Sequence, residues 1–377
     1  MKTKMIALCL FVGFIIVGIV YAAGVEHSNN TSLGTNTGNN PTDGTSNDYN
    51  TFIGTNAGTN ISTGDDNTFV GYNAGYHNAD GTDNTFIGRS AGYWNDNDNE
   101  GAATGNDNTF IGNEAGNGNK DGDYNTFVGD DSGRSNRTGH ANTFIGQSAG
   151  RSNISGNSNV FIGVGAGQAN TGPPTANPDD MDKGNKNIFI GNAAGLLNET
   201  GYKNIFIGND VGAFGLTAYE NIFIGFAAGF SNDTGYRNIF IGNEAGSRNE
   251  TAYDNIFIGD GAGFHNETGL SNTFIGKSAG YYNDNDDEGD ATGNSNTFIG
   301  WCAGFVNNDG DSNTFVGETA GFQNKTGSHN TFIGQSAGYL NETGLRNTFI
   351  GAGAGYFNNY DNDGAGHQNT FIGNNSG

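Results

Sequence analysis

The chain repeats itself every seventeen residues. The nonapeptide NTFIGQSAG at Asn142–Gly150 returns unchanged at Asn330–Gly338, and looser copies fill the sequence between and around them. One Phe marks each copy: Phe52, Phe69, Phe86, Phe110, Phe127, Phe144, Phe161, Phe189, Phe206, Phe223, Phe240, Phe257, Phe274, Phe298, Phe315, Phe332, Phe349 and Phe371. Thirteen of the seventeen intervals are 17 residues, and the others exceed it by 7, 11, 7 and 5. A unit this short cannot hold a helical hairpin, and 66 glycines disfavour helix of any kind. Thr-Phe-Ile bounded by Asn and Gly is a short strand between turns. One such unit buries nothing alone, whereas stacked units give every strand a parallel neighbour. The sequence therefore predicts an all-β chain, a parallel β-solenoid of about 18 coils, roughly 85 Å long at about 4.8 Å per coil.

Positions within the coil follow from the same logic. The Asn two before every Phe (Asn50, Asn67, Asn84 and onward) is expected to stack as an amide ladder. Gly two and six after Phe, Gly54 and Gly58 in the first coil, suit positive-φ corners or close backbone approach. Ala five after Phe, such as Ala57 and Ala74, is small enough to face the ring across a thin interior. Successive strand residues point to opposite faces, so Phe is placed inside and the Thr and Ile beside it outside.

The outer column becomes wholly aliphatic in the middle of the chain, at Ile188, Ile190, Ile205, Ile207, Ile222, Ile224, Ile239, Ile241, Ile256 and Ile258. Tyr202, Tyr219, Tyr236, Tyr253 and Leu270 join the same coils in register. A stripe about 10 Å wide along such a rod offers roughly 850 Å², more than a lone soluble chain usually leaves bare. Self-association through these residues is the expected cover.

The first residues lie outside the repeat. Lys2 and Lys4 precede an apolar run, Met5 to Ala23, that ends in small residues. This reads as a secretory signal over 1–22, with a retained anchor as the alternative. Residues 23–47 form a linker with a worn coil, Asn30–Gly34, expected to cap the array, and 48–377 are the repeat domain. Export leaves Cys302 without an intrachain partner, so no disulfide framework holds the fold. A net charge of −24 makes nucleic acid a poor partner.

The motif N-[TI]-F-[IV]-G-x-x-A-G-x-x-N-x-T-G resembles the head repeats of trimeric autotransporter adhesins and is similar to the NTxxGxxA-type repeats of tail-fibre-like proteins of bacteria and phages. The resemblance spans about Asn50 to Gly377. It implies a left-handed β-roll that trimerises through one face of each coil. No heptad stalk or run of amphipathic anchor strands follows here. A worn first coil and a last coil broken off at Gly377 would also suit rods joining head to tail.

Four insertions follow Asn95, Asn170, Asn283 and Asn358, near 96–102, 171–181, 284–290 and 359–363, so they emerge from one edge of the rod. Three alternate oxygen-bearing side chains: Asp96, Asp98 and Glu100; Asp284, Asp286 and Glu288; Asn359, Asp361 and Asp363. That spacing, with Asp107 twelve positions into the first, matches the opening of a calcium loop. The alternative is that Asp and Asn simply form turns on a solvated edge.

Two further columns invite a binding role. Asn136, Asn153, Asn198, Asn232, Asn249, Asn266, Asn324 and Asn341 stand in Asn-x-Ser/Thr sequons, candidate N-glycosylation sites in an exported chain and equally good turns. Phe264, Tyr281, Phe305, Phe322, Tyr339 and Tyr356 form an aromatic ladder that either stacks on sugars or packs on itself. The six histidines share no repeat position, and no nucleophile or phosphate-loop motif occurs, so an enzyme is not expected. The sequence points first to an extracellular self-associating rod, trimer or filament. Next comes a surface adhesin that binds glycans or another surface protein. An ice-binding face ranks last, since the Thr column turns to Ile.

Overall fold

Thr, Phe and Ile are β-branched or aromatic and favour extended backbone, and the flanking Asn and Gly stop the strand after three residues. The computed structural model describes residues 29–38, 47–96, 105–172, 182–284, 293–359 and 366–377. Each repeat contributes one three-residue strand, from Thr51–Ile53 to Thr370–Ile372, and Thr31–Leu33 precedes them. Together they form one 19-stranded parallel sheet. The protein is a parallel β-solenoid with a 17-residue repeat and about seventeen turns.

Register is kept from end to end. Thr51, Phe52 and Ile53 pair with Thr68, Phe69 and Val70, and Ile205, Phe206 and Ile207 with Ile222, Phe223 and Ile224. The insertions leave it untouched: Thr85 pairs with Thr109, Val160 with Ile188, Thr273 with Thr297 and Thr348 with Thr370. The worn copy takes part too, with Ser32 opposite Phe52.

Phe points inward, as expected. Every marker ring from Phe52 to Phe349 is fully buried, with the small residue five positions on buried beside it. From Phe69 to Phe371 consecutive rings lie 4.7–5.0 Å apart and within 11° of parallel. Where Ser132 replaces the usual Ala, its buried hydroxyl donates to the Phe144 carbonyl at 3.0 Å.

The two glycine positions have separate causes. Gly54 has φ +128, and a Cβ there would lie 2.5 Å from the Gly71 carbonyl oxygen of the next coil. Gly58 has φ +61, and a Cβ would lie 2.6 Å from the Phe52 ring of its own coil. The first is a backbone approach between coils; the second makes room for the core ring.

Backbone bonds tie each coil to both neighbours. The Ile205 N–H donates to the Asn221 carbonyl ahead, while the Gly208 N–H donates to the Ile190 carbonyl behind. The Asn two before Phe adds a buried ladder. Its side-chain oxygen accepts the backbone N–H of the next such Asn, as from Asn221 to Asn204 at 3.0 Å. Its amide donates to a turn carbonyl, as from Asn221 to Gly235 at 2.9 Å.

Candidate functional site

The outer face of the sheet carries the columns placed outside. Ile53, Ile87, Ile111, Ile145, Ile275, Ile299, Ile333 and Ile350 are each 37–41% exposed, although all lie in the regular sheet. In the central coils Ile207 and Ile256 are equally open. Ile188, Ile190, Ile205, Ile222, Ile224, Ile239, Ile241 and Ile258 are half-buried. Neighbours above and below shield each side chain, so the face presents a continuous row of aliphatic ends. Tyr202, Tyr219, Tyr236 and Tyr253 stack at 4.6–4.9 Å in the same coils. Lys203 and Arg237 lie over the Tyr202 and Tyr236 rings. Burial raises the Tyr202 and Tyr219 hydroxyls above their ordinary range, with neighbouring charge adding to it.

The sequon asparagines are not surface residues, and here the expectation is corrected. Asn136, Asn153, Asn198, Asn232, Asn249, Asn266, Asn324 and Asn341 are all fully buried. They form a second amide ladder. The Asn136 amide donates to Asn119 Oδ1 at 2.6 Å and to the Gly139 carbonyl at 2.9 Å, and Asn249 repeats this with Asn232 and Ala252. A glycan on any of these amides would cut the ladder and find no room in the coil. A signal for this was present in the sequence. Asn78, Asn95, Asn119, Asn170, Asn283 and Asn307 occupy the same rung without a sequon, so the repeat keeps the Asn where the hydroxyl residue is lost.

The opening residues of the acidic insertions are engaged between coils. Asp96 and Asp284 are buried, and each turns its carboxylate onto the preceding coil. Asp96 Oδ2 accepts the Asp80 N–H at 2.5 Å, and Asp284 Oδ2 accepts the Thr268 N–H and hydroxyl at 2.6 Å each. Asn359 donates to the Thr343 hydroxyl. These three side chains join coils instead of opening a loop outward. Asp107 is exposed at φ +56, in the turn before Thr109–Ile111. Asp98, Glu100, Asp286, Glu288, Asp361 and Asp363 lie outside the described residues. Among the described residues no group of three or more His, Cys, Asp or Glu is placed to hold a metal ion.

The aromatic ladder packs on itself. Phe264, Tyr281, Phe305, Phe322, Tyr339 and Tyr356 stack in sequence, 4.8–5.3 Å apart and within 15° of parallel. Each inner ring has both faces against a neighbour, which closes them to a sugar; only the edges meet solvent. Of the two readings the sequence left open, the geometry is that of self-packing. Burial raises the Tyr281 and Tyr339 hydroxyls, and the same cause raises the half-buried Cys302 thiol.

Four histidines join neighbouring rings or coils. His77 lies flat on Trp94, and His265 stacks on Tyr282. His140 Nδ1 accepts the Asp123 N–H at 3.0 Å, and His367 Nδ1 the Leu345 N–H at 2.9 Å. One feature escaped sequence reasoning. Beside Trp94 a concavity of about 520 Å³ carries Lys120, Arg134 and Arg137 on its wall. These cations come from two neighbouring coils, at repeat positions that most other coils fill with uncharged or acidic residues, so the periodic pattern does not signal them. The chain matches no family model, no curated protein and no solved structure.

Proposed function

We propose that this protein is an exported structural rod that assembles with copies of itself, as a trimer or filament, through the Thr/Ile face of its sheet. One observation carries the reading: an unbroken aliphatic row runs the length of the sheet, with side chains about two-fifths exposed where the outer Ile is most open between the two end strands. At roughly 850 Å² the stripe matches the area each partner gives to a stable interface. Regular spacing favours a second copy, because identical coils place identical residues at the same interval on both sides. Export rests on the Lys2–Ala22 segment of the sequence. The adhesin reading loses support because the ladder's ring faces are covered.

The test is the mass of residues 23–377 by chromatography with light scattering, beside the double variant Ile207→Asp/Ile224→Asp. The wild-type chain is expected to run as a closed oligomer or an open series, and the variant as a folded monomer. Each carboxylate buried at such an interface would cost several kcal/mol. A monomeric wild-type chain would refute the proposal.

A further inference from the structure

The concavity beside Trp94 lies where a two-ring stack ends. His77, Trp94, Gly118 and Ser135 occupy the same repeat position in four successive coils, each eight residues after its Phe. Backbone bonds hold them in line: Trp94 N–H donates to Asn117 O at 2.8 Å, and Gly118 N–H to Arg134 O at 2.7 Å. The His77 and Trp94 rings stack at 4.2 Å and 4°. The other indole face looks along the rod to the next rung, where Gly118 brings no side chain. In the column beside it, by contrast, Tyr93 covers the corresponding face of Tyr76.

Charge sharpens the picture. The chain has 39 acidic and 15 basic residues, yet three cations line this one hollow. Arg134 is neutralised by Glu114 at 3.0 Å and lies near Asp131. Lys120 and Arg137 make no ion pair among the described residues. Two cations with no ion pair among the described residues therefore flank the outer indole face, with Asn117 and Ser135 at the same wall.

We infer that this hollow binds a carboxylated sugar residue. The pyranose ring lies against Trp94, its carboxylate meets Lys120 and Arg137, and its hydroxyls meet Asn117 and Ser135. An indole face suits the C–H face of a sugar, and paired cations suit one carboxylate. A single-stranded nucleic acid would also stack and pair. However, its repeated phosphates would run along a rod of net charge −24, which repels them, whereas one carboxylate is met locally. The site is independent of assembly through the Thr/Ile face.

Only two tryptophans are present, and Trp301 is exposed, so Trp301→Phe leaves Trp94 as the sole reporter. That variant would be titrated with trigalacturonate, with a neutral galactotriose and with oligothymidylate, following emission and heat. The expected result is saturable quenching by trigalacturonate and at least tenfold weaker binding of galactotriose. Lys120→Ala/Arg137→Ala should weaken the uronate at least tenfold, as expected for lost bonds to a charged group. Trp94→Ala should abolish the heat while the circular dichroism of the rod is retained. Equal affinity for the neutral sugar, uronate binding untouched by either variant, binding of oligothymidylate alone, or no binding at all would each overturn the inference.

Discussion

At Asn198 the second amide ladder stops short. Its Oδ1 is buried with no hydrogen-bond partner, because the next coil has Gly215 where each of the other coils from Asn78 to Asn358 places Asn. An orphaned buried oxygen costs about 1–3 kcal/mol. Gly215→Asn should supply the missing donor to Asn198 and an acceptor to Asn232. A Cβ at Gly215 would sit 2.9 Å from the Asn232 carbonyl oxygen, a backbone contact that the neighbouring turn must shift to relieve and that offsets part of the gain. The same side chain is accommodated one coil earlier and one later. The expected net outcome is about 1 kcal/mol of added stability, seen as a higher melting temperature. A lower one would mean that the coil at Gly215 has a turn that rejects Asn. This rung also marks where sequence reading failed. Strand alternation placed Phe, Thr and Ile correctly, because Thr-Phe-Ile is a strand. Residues nine after Phe lie in turns, where alternation says nothing of direction, so buried Asn looked like exposed sequon.

Single coils and columns behave as elements. The four insertions change the spacing of Phe86, Phe161, Phe274 and Phe349 from their successors without shifting strand register. Deleting residues 97–103 restores the 17-residue interval. It should leave the fold intact and the melting temperature within a few degrees, since loop length changes closure entropy only slowly. Loss of register, seen as loss of the parallel-sheet signal, would show that the insertion holds the coil together. The aromatic columns add a pH response. Burial among Phe264, Tyr281 and Tyr282, and secondarily Arg248, lowers the pKa of His265 below its ordinary 6.5; burial does the same to His77. The unfolded chain then takes up a proton first as pH falls through 6.5. Stability from these groups is complete above that value and declines below it, levelling off once the folded histidines also charge. His265→Gln should flatten the slope of melting temperature between pH 6.5 and pH 5; an unchanged slope would assign the effect elsewhere. The aromatic periodicity was legible in the sequence. Whether rings faced each other or solvent was not, because a ladder at one ring per coil satisfies both.

The whole rod is a stack in which each coil touches only the next. Stability in such arrays is a sum of coil and nearest-neighbour terms, so damage should stay local. Phe223→Ala empties one rung of the buried column between Phe206 and Phe240, at a cost of about 3–5 kcal/mol. Hydrogen exchange should then lose protection around Ile205–Ile241 while Thr68–Val70 and Thr331–Ile333 keep theirs. Uniform loss along the chain would refute the one-dimensional picture. The period alone made this architecture legible, since one strand per seventeen residues leaves little else to build. The Trp94 hollow was invisible at this scale, because it arises where the repeat departs from itself.

The unbroken register across insertions of different length has one more implication. A chain whose cross-section is the same at every rung has no fixed number of rungs. Duplicating or excising a whole seventeen-residue segment joins two surfaces already shaped for each other, so the gene can lengthen or shorten by recombination between its own copies. Reach then becomes a heritable variable that can be tuned without redesigning a single contact.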